Sequence, residues 1–150
     1  MNLPEFHTQH VLLGYSSEID HSLFQQVVND LPFLVHLSSA NTCSDIKDML
    51  DLQAALPDLL VLDLELSDRN GLECLQEIKG NKKCVSLPVV IYATTSYPAA
   101  INQLYENGAH LYIYKTKDAF AFKKSIQHLL SINWKVNIGQ PPREEFVLAV

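Results

Sequence analysis

Five short apolar runs alternate along the chain with five segments whose apolar residues recur every three or four positions. The runs cover residues 10–14, 33–37, 59–62, 87–93 and 111–114. A short continuous apolar run is typical of a strand that is buried on both faces, whereas a spacing of three and four is typical of a helix that buries one face. The pattern therefore predicts five strands alternating with five helices.

Strict alternation of strands and helices favours a parallel sheet, because each crossover helix packs onto a face of the sheet. We expect an α/β fold with a doubly wound five-stranded parallel sheet, helices on both faces and the flavodoxin-like strand order 2-1-3-4-5. No internal repeat or low-complexity tract interrupts the pattern. We interpret residues 1–132 as one domain.

Polar residues and prolines mark the predicted helix ends. Ser17, followed three residues later by Asp20, resembles a capping pair at the start of the first helix. Thr42 or Ser44 can cap the second helix, which we expect to carry apolar residues toward the core until Pro57 ends it.

Residues 133–150 form a tail outside the alternation. Trp134, Val136 and Ile138 alternate with polar residues, as in a half-buried strand, and Phe146 begins a second apolar stretch after a break that contains glycine and proline. Two interpretations stay open. The tail folds back onto its own domain because large apolar residues seek cover, or it is a strand that binds a partner or a second copy of the chain.

Composition restricts the partners and the compartment. The chain has 150 residues, of which 47% are hydrophobic, enough for one globular domain. A net charge of −6 argues against a nucleic-acid-binding surface, which relies on clustered Lys and Arg. No run reaches the ~18 apolar residues that span a bilayer, and the N-terminus lacks the features of a signal peptide. We therefore expect a cytoplasmic protein that binds neither nucleic acid nor membrane.

The cysteines and histidines indicate no metal site. Cys43, Cys74 and Cys84 are odd in number and widely spaced, so we expect reduced thiols rather than a disulfide framework or a zinc site. His7 and His10 lie three positions apart, but no accompanying carboxylate or helix signal supports them as ligands.

Polar side chains follow three of the predicted strands at the point where each ends. Asp63 ends the third strand, Thr94 and Thr95 follow the fourth, and Lys115 follows the fifth. The carboxyl ends of parallel strands line the ligand crevice of an open sheet. We therefore expect a carboxylate, hydroxyls and an ammonium to meet at this edge.

These residues resemble the receiver domain of two-component response regulators over about residues 11–130. Gly71 and Lys115 lie 8 and 52 positions after Asp63, which is similar to the family's usual spacing. The tail resembles that of single-domain, phytochrome-associated regulators. The matching stretches are PDLLVLD (57–63), GLE (71–73), LPVV (87–90), GA (108–109) and YIYK (112–115).

The resemblance implies phosphoryl transfer. Asp63 matches the phosphoacceptor, the carboxylate nucleophile of an in-line transfer from a phosphohistidine. Lys115 matches the lysine that neutralises the phosphoryl oxygens, and Tyr112 matches the aromatic switch residue that turns inward on phosphorylation. The implied partners are a histidine kinase or phosphotransfer protein and a downstream protein target, and a homodimer stays open. The implied enzymatic activity is at most receiver-type self-phosphorylation and dephosphorylation.

The chain departs from the family where a divalent cation binds. The family places two adjacent acids after the first strand, but Tyr15 and Ser16 stand there. Because Mg²⁺ prefers carboxylate oxygens, we expect a weakened Mg²⁺ site in which Glu65 or Glu18 joins Asp63 as a ligand.

A second departure concerns the phosphate-binding hydroxyl. The family places it 30 positions after the phosphoacceptor, which falls on Ala93. Thr94 or Thr95 would have to supply the hydroxyl through a shift of the loop, because adjacent strand residues face opposite ways. We take Thr94 as the candidate catalytic hydroxyl.

Two functions stay open. The leading hypothesis is a single-domain receiver that is phosphorylated on Asp63, and the alternative is a pseudo-receiver that binds proteins without being phosphorylated. Tyr15, Ser16 and Ala93 favour the alternative, whereas Asp63 and Lys115 favour the receiver. A flavodoxin-like binder of a small cofactor is disfavoured, because no Gly-rich phosphate-binding loop follows the first strand.

Overall fold

The computed structural model describes residues 8–52, 54–136 and 139–148. Five parallel strands in this part of the chain form one sheet, and five α-helices connect or follow them. Two further short segments, Lys82–Cys84 and Arg143–Glu145, are 3₁₀-helical. In chain order the elements are β1 (Gln9–Gly14), α1 (Glu18–Asp30), β2 (Val35–Ala40), α2 (Cys43–Leu52), β3 (Leu59–Asp63), α3 (Gly71–Lys79), β4 (Val89–Ala93), α4 (Pro98–Glu106), β5 (Leu111–Tyr114) and α5 (Ala119–Ser131).

The strand order is β2-β1-β3-β4-β5, which confirms the predicted doubly wound sheet. Every residue of β3 and β4 is buried, as the continuous apolar runs predicted. In the parallel register Asp63 lies beside Tyr92, and Ala93 lies beside Tyr114. The last residues of the three strands β3, β4 and β5 therefore share one edge of the sheet.

Two hydrophobic cores lie on the two faces of the sheet. On one face the strands pack against α2, α3 and α4, which contribute Ile46, Leu75 and Leu104 to the core. On the other face they pack against α1 and α5, which contribute Phe24 and Ile126. Helices therefore cover both faces, because strands that are apolar on both sides must be shielded from water on both sides.

The predicted helix boundaries are confirmed at some ends and wrong at others. The hydroxyl of Ser17 accepts hydrogen bonds from the backbone N–H groups at the start of α1, so it is the predicted N-cap. Thr42 accepts from the N–H of Asp45 at the start of α2. The second helix ends at Leu52 rather than near Pro57, and Leu52 is exposed, whereas Leu56 packs against the core from the segment that follows the helix.

The second strand lies further along the chain than predicted. It runs from Val35 to Ala40 and pairs with β1 along its whole length. The prediction from apolar residues did not include Ser38 and Ser39. Because β2 is an edge strand and most of its residues are only partly buried, it can carry polar side chains.

A close backbone contact shapes the loop after Asp63. The N–H of Gly71 donates to the carbonyl of Leu64 over 2.6 Å. A Cβ at position 71 would lie 2.7 Å from the Cα of Leu64 and 2.8 Å from the carbonyl oxygen of Asp63, closer than non-bonded atoms can approach. Only glycine therefore closes this loop and starts α3 beside the end of β3.

Cys43 and Cys74 form a disulfide, so the expectation of reduced thiols is wrong for this pair. Cys43 begins α2 and Cys74 lies in α3, and the Cα atoms are 5.8 Å apart. Their separation of 31 residues gives no sequence signal of proximity, because the loop after Asp63 brings the two helices together. Cys84 is a free, buried thiol.

The first part of the tail is a turn, so the predicted strand is wrong at Trp134 and Val136. The indole N–H of Trp134 donates to the carbonyl of Leu129, and its backbone N–H donates to the side chain of Gln9. These contacts bury Trp134 against α5 and β1 instead of aligning it beside a strand. Ile138, the third residue of the predicted strand, lies outside the described residues.

The last described part of the tail packs on α4 and β5. The backbone of Tyr112 donates to Phe146 and accepts from Leu148, each over 2.9 Å. The ring of Phe146 is buried between those of Tyr105 and Tyr112, at centroid distances of 5.2 and 6.5 Å. The described end of the tail therefore lies along β5 in the manner of an additional short strand.

None of the helices in the described part of the chain is long and apolar enough to cross a membrane.

The disulfide is expected to stabilise the fold. It closes a loop of 31 residues, for which loss of unfolded-state entropy predicts about 3.7 kcal/mol. Urea denaturation with and without a reductant should give a lower free energy of unfolding under reducing conditions. A Cys43→Ser/Cys74→Ser variant should be insensitive to reductant, and Cys84→Ser should respond as the unsubstituted chain does. Equal stability in both conditions would contradict a stabilising role.

Phe146 is expected to hold the tail on the domain. Phe146→Ala removes a fully buried ring and should lower the free energy of unfolding by about 3 kcal/mol. If the tail instead detaches from the domain, the lost contacts should lower the free energy of unfolding by a similar amount. Val147→Ala is the matched control, because Val147 is largely exposed and contributes through its backbone. Urea denaturation checks both variants, and similar effects would contradict the importance of the buried ring.

Candidate functional site

Four polar side chains meet at the carboxyl edge of the sheet. Asp63 ends β3 and Lys115 follows β5, as predicted, while Ser16 comes from the loop after β1 and Asp20 from the first turn of α1. Hydrogen bonds join Ser16 to Asp63 and Lys115 to Asp20. The parallel sheet brings the strand ends together. The first turn of α1 adds the carboxylate of Asp20 to them.

Asp63 is buried and held through both carboxylate oxygens. The Ser16 hydroxyl donates to Oδ2 over 2.6 Å, and the backbone N–H of Glu65 donates to Oδ1 over 2.8 Å. Burial raises the pKa of the Asp63 carboxyl, the two hydrogen bonds oppose this rise, and the negative charge of Asp20 adds to it. The site therefore stabilises the charge of Asp63 with donors but does not remove the cost of burying it.

Asp20 and Lys115 form the ion pair of the site. Lys115 Nζ lies 2.6 Å from Asp20 Oδ2, and Asp20 is 1% exposed. A carboxylate this deeply buried needs a counterion, because an unpaired charge in the interior is costly. The predicted Lys115 is therefore at the edge, but its direct partner is Asp20 rather than Asp63.

Sequence reasoning assigned Asp20 to a helix cap and missed this role. Asp20 lies on the stripe of α1 that also carries Phe24 and Val27, and all three residues are buried. A carboxylate at an inward-facing helical position was the available signal, since buried acids are rare unless they are paired.

Tyr92, in β4, is the register neighbour of Asp63, and its hydroxyl is close enough to Asp63 and Asp20 to be affected by their charges. Its side chain is fully buried among Phe24 and Phe122, and its hydroxyl has no hydrogen-bond partner within the described part of the chain. Burial raises the pKa of Tyr92 far above its usual value, and the negative charges of Asp63 and Asp20 raise it further. The hydroxyl is therefore a neutral donor close to two carboxylates.

The loop after β4 does not bring the predicted hydroxyl to Asp63. Thr94 is exposed, and the methyl group of Ala93 occupies the buried position at the end of β4. Thr95 contributes its backbone carbonyl, which accepts a hydrogen bond of 2.6 Å from the Tyr112 hydroxyl. The hydroxyl that contacts Asp63 is that of Ser16, which lies at a position where the family has an acid.

Tyr112 points inward. Its ring is buried, and its hydroxyl donates to the carbonyl of Thr95 over 2.6 Å and lies 3.3 Å from that of Ala93. Burial raises the pKa of Tyr112 to about 12, so the hydroxyl stays a donor at neutral pH. Tyr112 therefore ties the loop after β4 to β5 and to the tail.

The predicted metal ligands are not brought together. Glu18 is exposed and contacts Tyr15 and His21 instead of Asp63, and Glu65 is exposed and reaches Asp63 only through its backbone N–H. Within residues 8–52, 54–136 and 139–148 there is no group of three or more Asp, Glu, His or Cys side chains that could hold a metal ion.

The donors at the edge fit a divalent cation poorly. Both oxygens of Asp63 already accept hydrogen bonds, and Asp20 is paired with the ammonium of Lys115. The neutral hydroxyl of Ser16 also contacts Asp63. Mg²⁺ requires a near-octahedral set of oxygens that usually includes carboxylates, and three of the four carboxylate oxygens of Asp63 and Asp20 already contact a donor or the ammonium.

The chain resembles known response regulators. It is 26% identical over 139 aligned residues to the two-component response regulator ORR4 of Oryza sativa subsp. indica, which covers 81% of this chain and 59% of that protein. It is 31% identical over 85 residues to the response regulator Rcp1 of Synechocystis sp., which covers 57% of each. The chain therefore spans less than two thirds of the length of these relatives.

Solved structures share the fold. The phosphorylated cyanobacterial phytochrome response regulator RcpA superposes with a TM-score of 0.80 at 21% identity, covering 91% of this chain and all of that one. The Mn²⁺-bound form of Rcp1 superposes with a TM-score of 0.78 at 26% identity, covering 89% of this chain and 99% of that one. The family model of the response regulator receiver domain matches residues 20–127. The chain belongs to the response regulator receiver domain family.

Proposed function

We propose that this receiver domain accepts a phosphoryl group on Asp63 from a histidine kinase or a phosphotransfer protein. The observation that carries the proposal is the buried Asp63 carboxylate, held by Ser16 and Glu65 near the Lys115–Asp20 ion pair. The family model, which matches residues 20–127, covers Asp20, Asp63 and Lys115 of this arrangement but not Ser16.

The chemistry needs one bond to form and one to break. An oxygen of Asp63 attacks the phosphorus of a phosphohistidine in line with the P–N bond, the P–N electrons return to the imidazole, and an aspartyl phosphate results. The Ser16 hydroxyl and the Glu65 N–H orient the carboxylate. Lys115, at this edge, supplies positive charge for the phosphoryl oxygens.

We further propose that the signal passes through protein contacts on the side of β5. Tyr112 joins the loop after β4 to the tail, through its hydroxyl bond to Thr95 and its backbone bond to Phe146. A change in that loop on phosphorylation would alter how Tyr112 and the tail pack, and a downstream protein would bind the surface that changes.

A pseudo-receiver is the second candidate. Tyr15, Ser16 and Ala93 favour it, because a phosphoryl group at Asp63 would meet two acids fewer after β1 and one hydroxyl fewer after β4 than the family pattern provides. Asp63 is also satisfied by two donors without any phosphoryl group.

Phosphorylation is tested by intact mass spectrometry after incubation with acetyl phosphate. The chain should gain one phosphoryl group, and Asp63→Asn should gain none because the nucleophile is removed. Glu65→Gln is the matched control, because Glu65 contacts Asp63 through its backbone, and it should still be modified. No gain in the folded, unsubstituted chain would support the pseudo-receiver.

The raised pKa of Asp63 predicts a pH-dependent gain in stability for Asp63→Asn. Because the folded-state pKa lies above the unfolded value near 3.8, the folded state binds more protons between the two values, and ionised Asp63 lowers stability at higher pH. The variant should be more stable than the unsubstituted chain at pH 7, and this advantage should be lost below about pH 2.8, where Asp63 is protonated in both the folded and the unfolded state. Urea denaturation across this pH range checks the prediction.

The control for this profile is Asp30→Asn, which removes an exposed carboxylate from the end of α1. Its free energy of unfolding should stay within about 0.5 kcal/mol of the unsubstituted chain. A stability gain for Asp63→Asn that is independent of pH would contradict the titration of Asp63 as its cause.

A further inference from the structure

The acid that this chain retains beside Asp63 reaches the edge from a helix rather than from the loop after β1. Asp20 belongs to the first turn of α1, four residues after Ser16, and points inward on the same stripe as Phe24. Its carboxylate binds the ammonium of Lys115 over 2.6 Å. The two positions directly after β1 hold Tyr15 and Ser16, which are neutral.

Three of the four carboxylate oxygens of Asp63 and Asp20 already contact a donor or the ammonium, which leaves few ligands for a metal ion. Ser16 donates to one oxygen of Asp63 and the Glu65 N–H to the other. Tyr92 is the register neighbour of Asp63, and its buried hydroxyl has no hydrogen-bond partner among the described residues. These N–H and O–H groups suit a carboxylate or a phosphoryl oxygen. The hydroxyl oxygens have lone pairs but no negative charge, whereas Mg²⁺ is bound mainly through carboxylates.

The formal charges support the same conclusion. Asp63 and Asp20 carry two negative charges, and Lys115 carries one positive charge, so the cluster has a net charge of −1. A site with two further acids after β1 and no Asp20 would carry −2. The ammonium of Lys115 already lies where it repels a second cation.

We propose that Asp20 is a positioning residue that fixes Lys115 as the permanent cation of this site, and that Ser16 replaces the metal ion as the partner of Asp63. The phosphoryl transfer proposed above then proceeds without a divalent cation. The inference rests on that proposed function for its kinetic part only, because the preference for Lys115 over a metal ion is a property of the resting site.

The first test measures cation binding without any reaction. Mn²⁺ serves as the probe, and electron paramagnetic resonance of the free ion gives its affinity. The unsubstituted chain should bind Mn²⁺ no more tightly than Asp63→Asn does. A Tyr15→Glu/Ser16→Asp variant restores two acids after β1 and should gain at least tenfold in affinity, because carboxylates are the preferred ligands.

The second test measures the rate of phosphoryl uptake from acetyl phosphate in EDTA and in Mg²⁺. The unsubstituted chain should react at similar rates in both, whereas the Tyr15→Glu/Ser16→Asp variant should depend on Mg²⁺. Asp20→Asn should lower the maximal rate roughly 10²-fold, as expected when a fixed electrostatic group is lost. It should change the half-saturating concentration of acetyl phosphate much less. Because a smaller folded fraction would also lower the maximal rate alone, each rate is normalised to the folded fraction of the variant.

Asp30→Asn removes the same charge from the same helix at an exposed position and should leave the rate unchanged. Circular dichroism of each variant establishes that it is folded.

The possible outcomes separate the two proposals. The inference is overturned if the unsubstituted chain binds Mn²⁺ as tightly as the Tyr15→Glu/Ser16→Asp variant does. It is also overturned if phosphoryl uptake by the unsubstituted chain requires Mg²⁺. An Asp20→Asn variant that behaves as Asp30→Asn does would overturn the role of Asp20. If no chain takes up a phosphoryl group but only the restored-acid variant binds Mn²⁺, the proposed phosphorylation fails while the metal-free resting site stands.

Discussion

The buried ion pair between Asp20 and Lys115 is the constraint on which the candidate site depends. A carboxylate that is 1% exposed persists in a folded protein only with a counterion, and removal of one partner from such a pair costs far more than the pair itself contributes. The pair ties the first turn of α1 to the segment after β5, next to the helix contact between α1 and α5. The position of Lys115 therefore depends on how α1 packs as well as on where β5 ends.

A second set of contacts, in the loop that leads from Asp63 to α3, surrounds the carboxylate of Asp63. Gly71 lets the backbone turn back against Leu64 and Asp63 without a clash. Asp68, in the same loop, accepts hydrogen bonds from the first N–H groups of α2, where it also complements the positive end of the helix dipole. The disulfide between Cys43 and Cys74 joins α2 to α3 across this loop. Together these contacts fix the N–H of Glu65 at the position from which it donates to Asp63.

Among the described residues, the strand β5 lies at one side of the sheet and has a neighbouring strand, β4, on one side only. An unpaired edge strand exposes backbone donors and acceptors to other chains. In this chain the tail binds both backbone groups of Tyr112: its N–H donates to Phe146, and its carbonyl accepts from Leu148. The ring of Phe146 packs on the ring of Tyr112. Arg143 adds contacts to Asn102 and to the rings of Tyr105 and Phe146. The inward position of Tyr112 and the position of the tail are therefore stabilised by the same contacts.

The sequence by itself determined the number and order of the elements, the strand order and the residues at the strand ends, because burial on both faces leaves an unbroken apolar run and because Asp63, Gly71 and Lys115 keep a fixed spacing. Only the tertiary structure decided which side chains face each other. The pairing of Asp20 with Lys115, the disulfide between Cys43 and Cys74 and the packing of Phe146 on Tyr112 all join residues far apart in the chain. Local patterns record which residues are buried, but long-range packing chooses their partners.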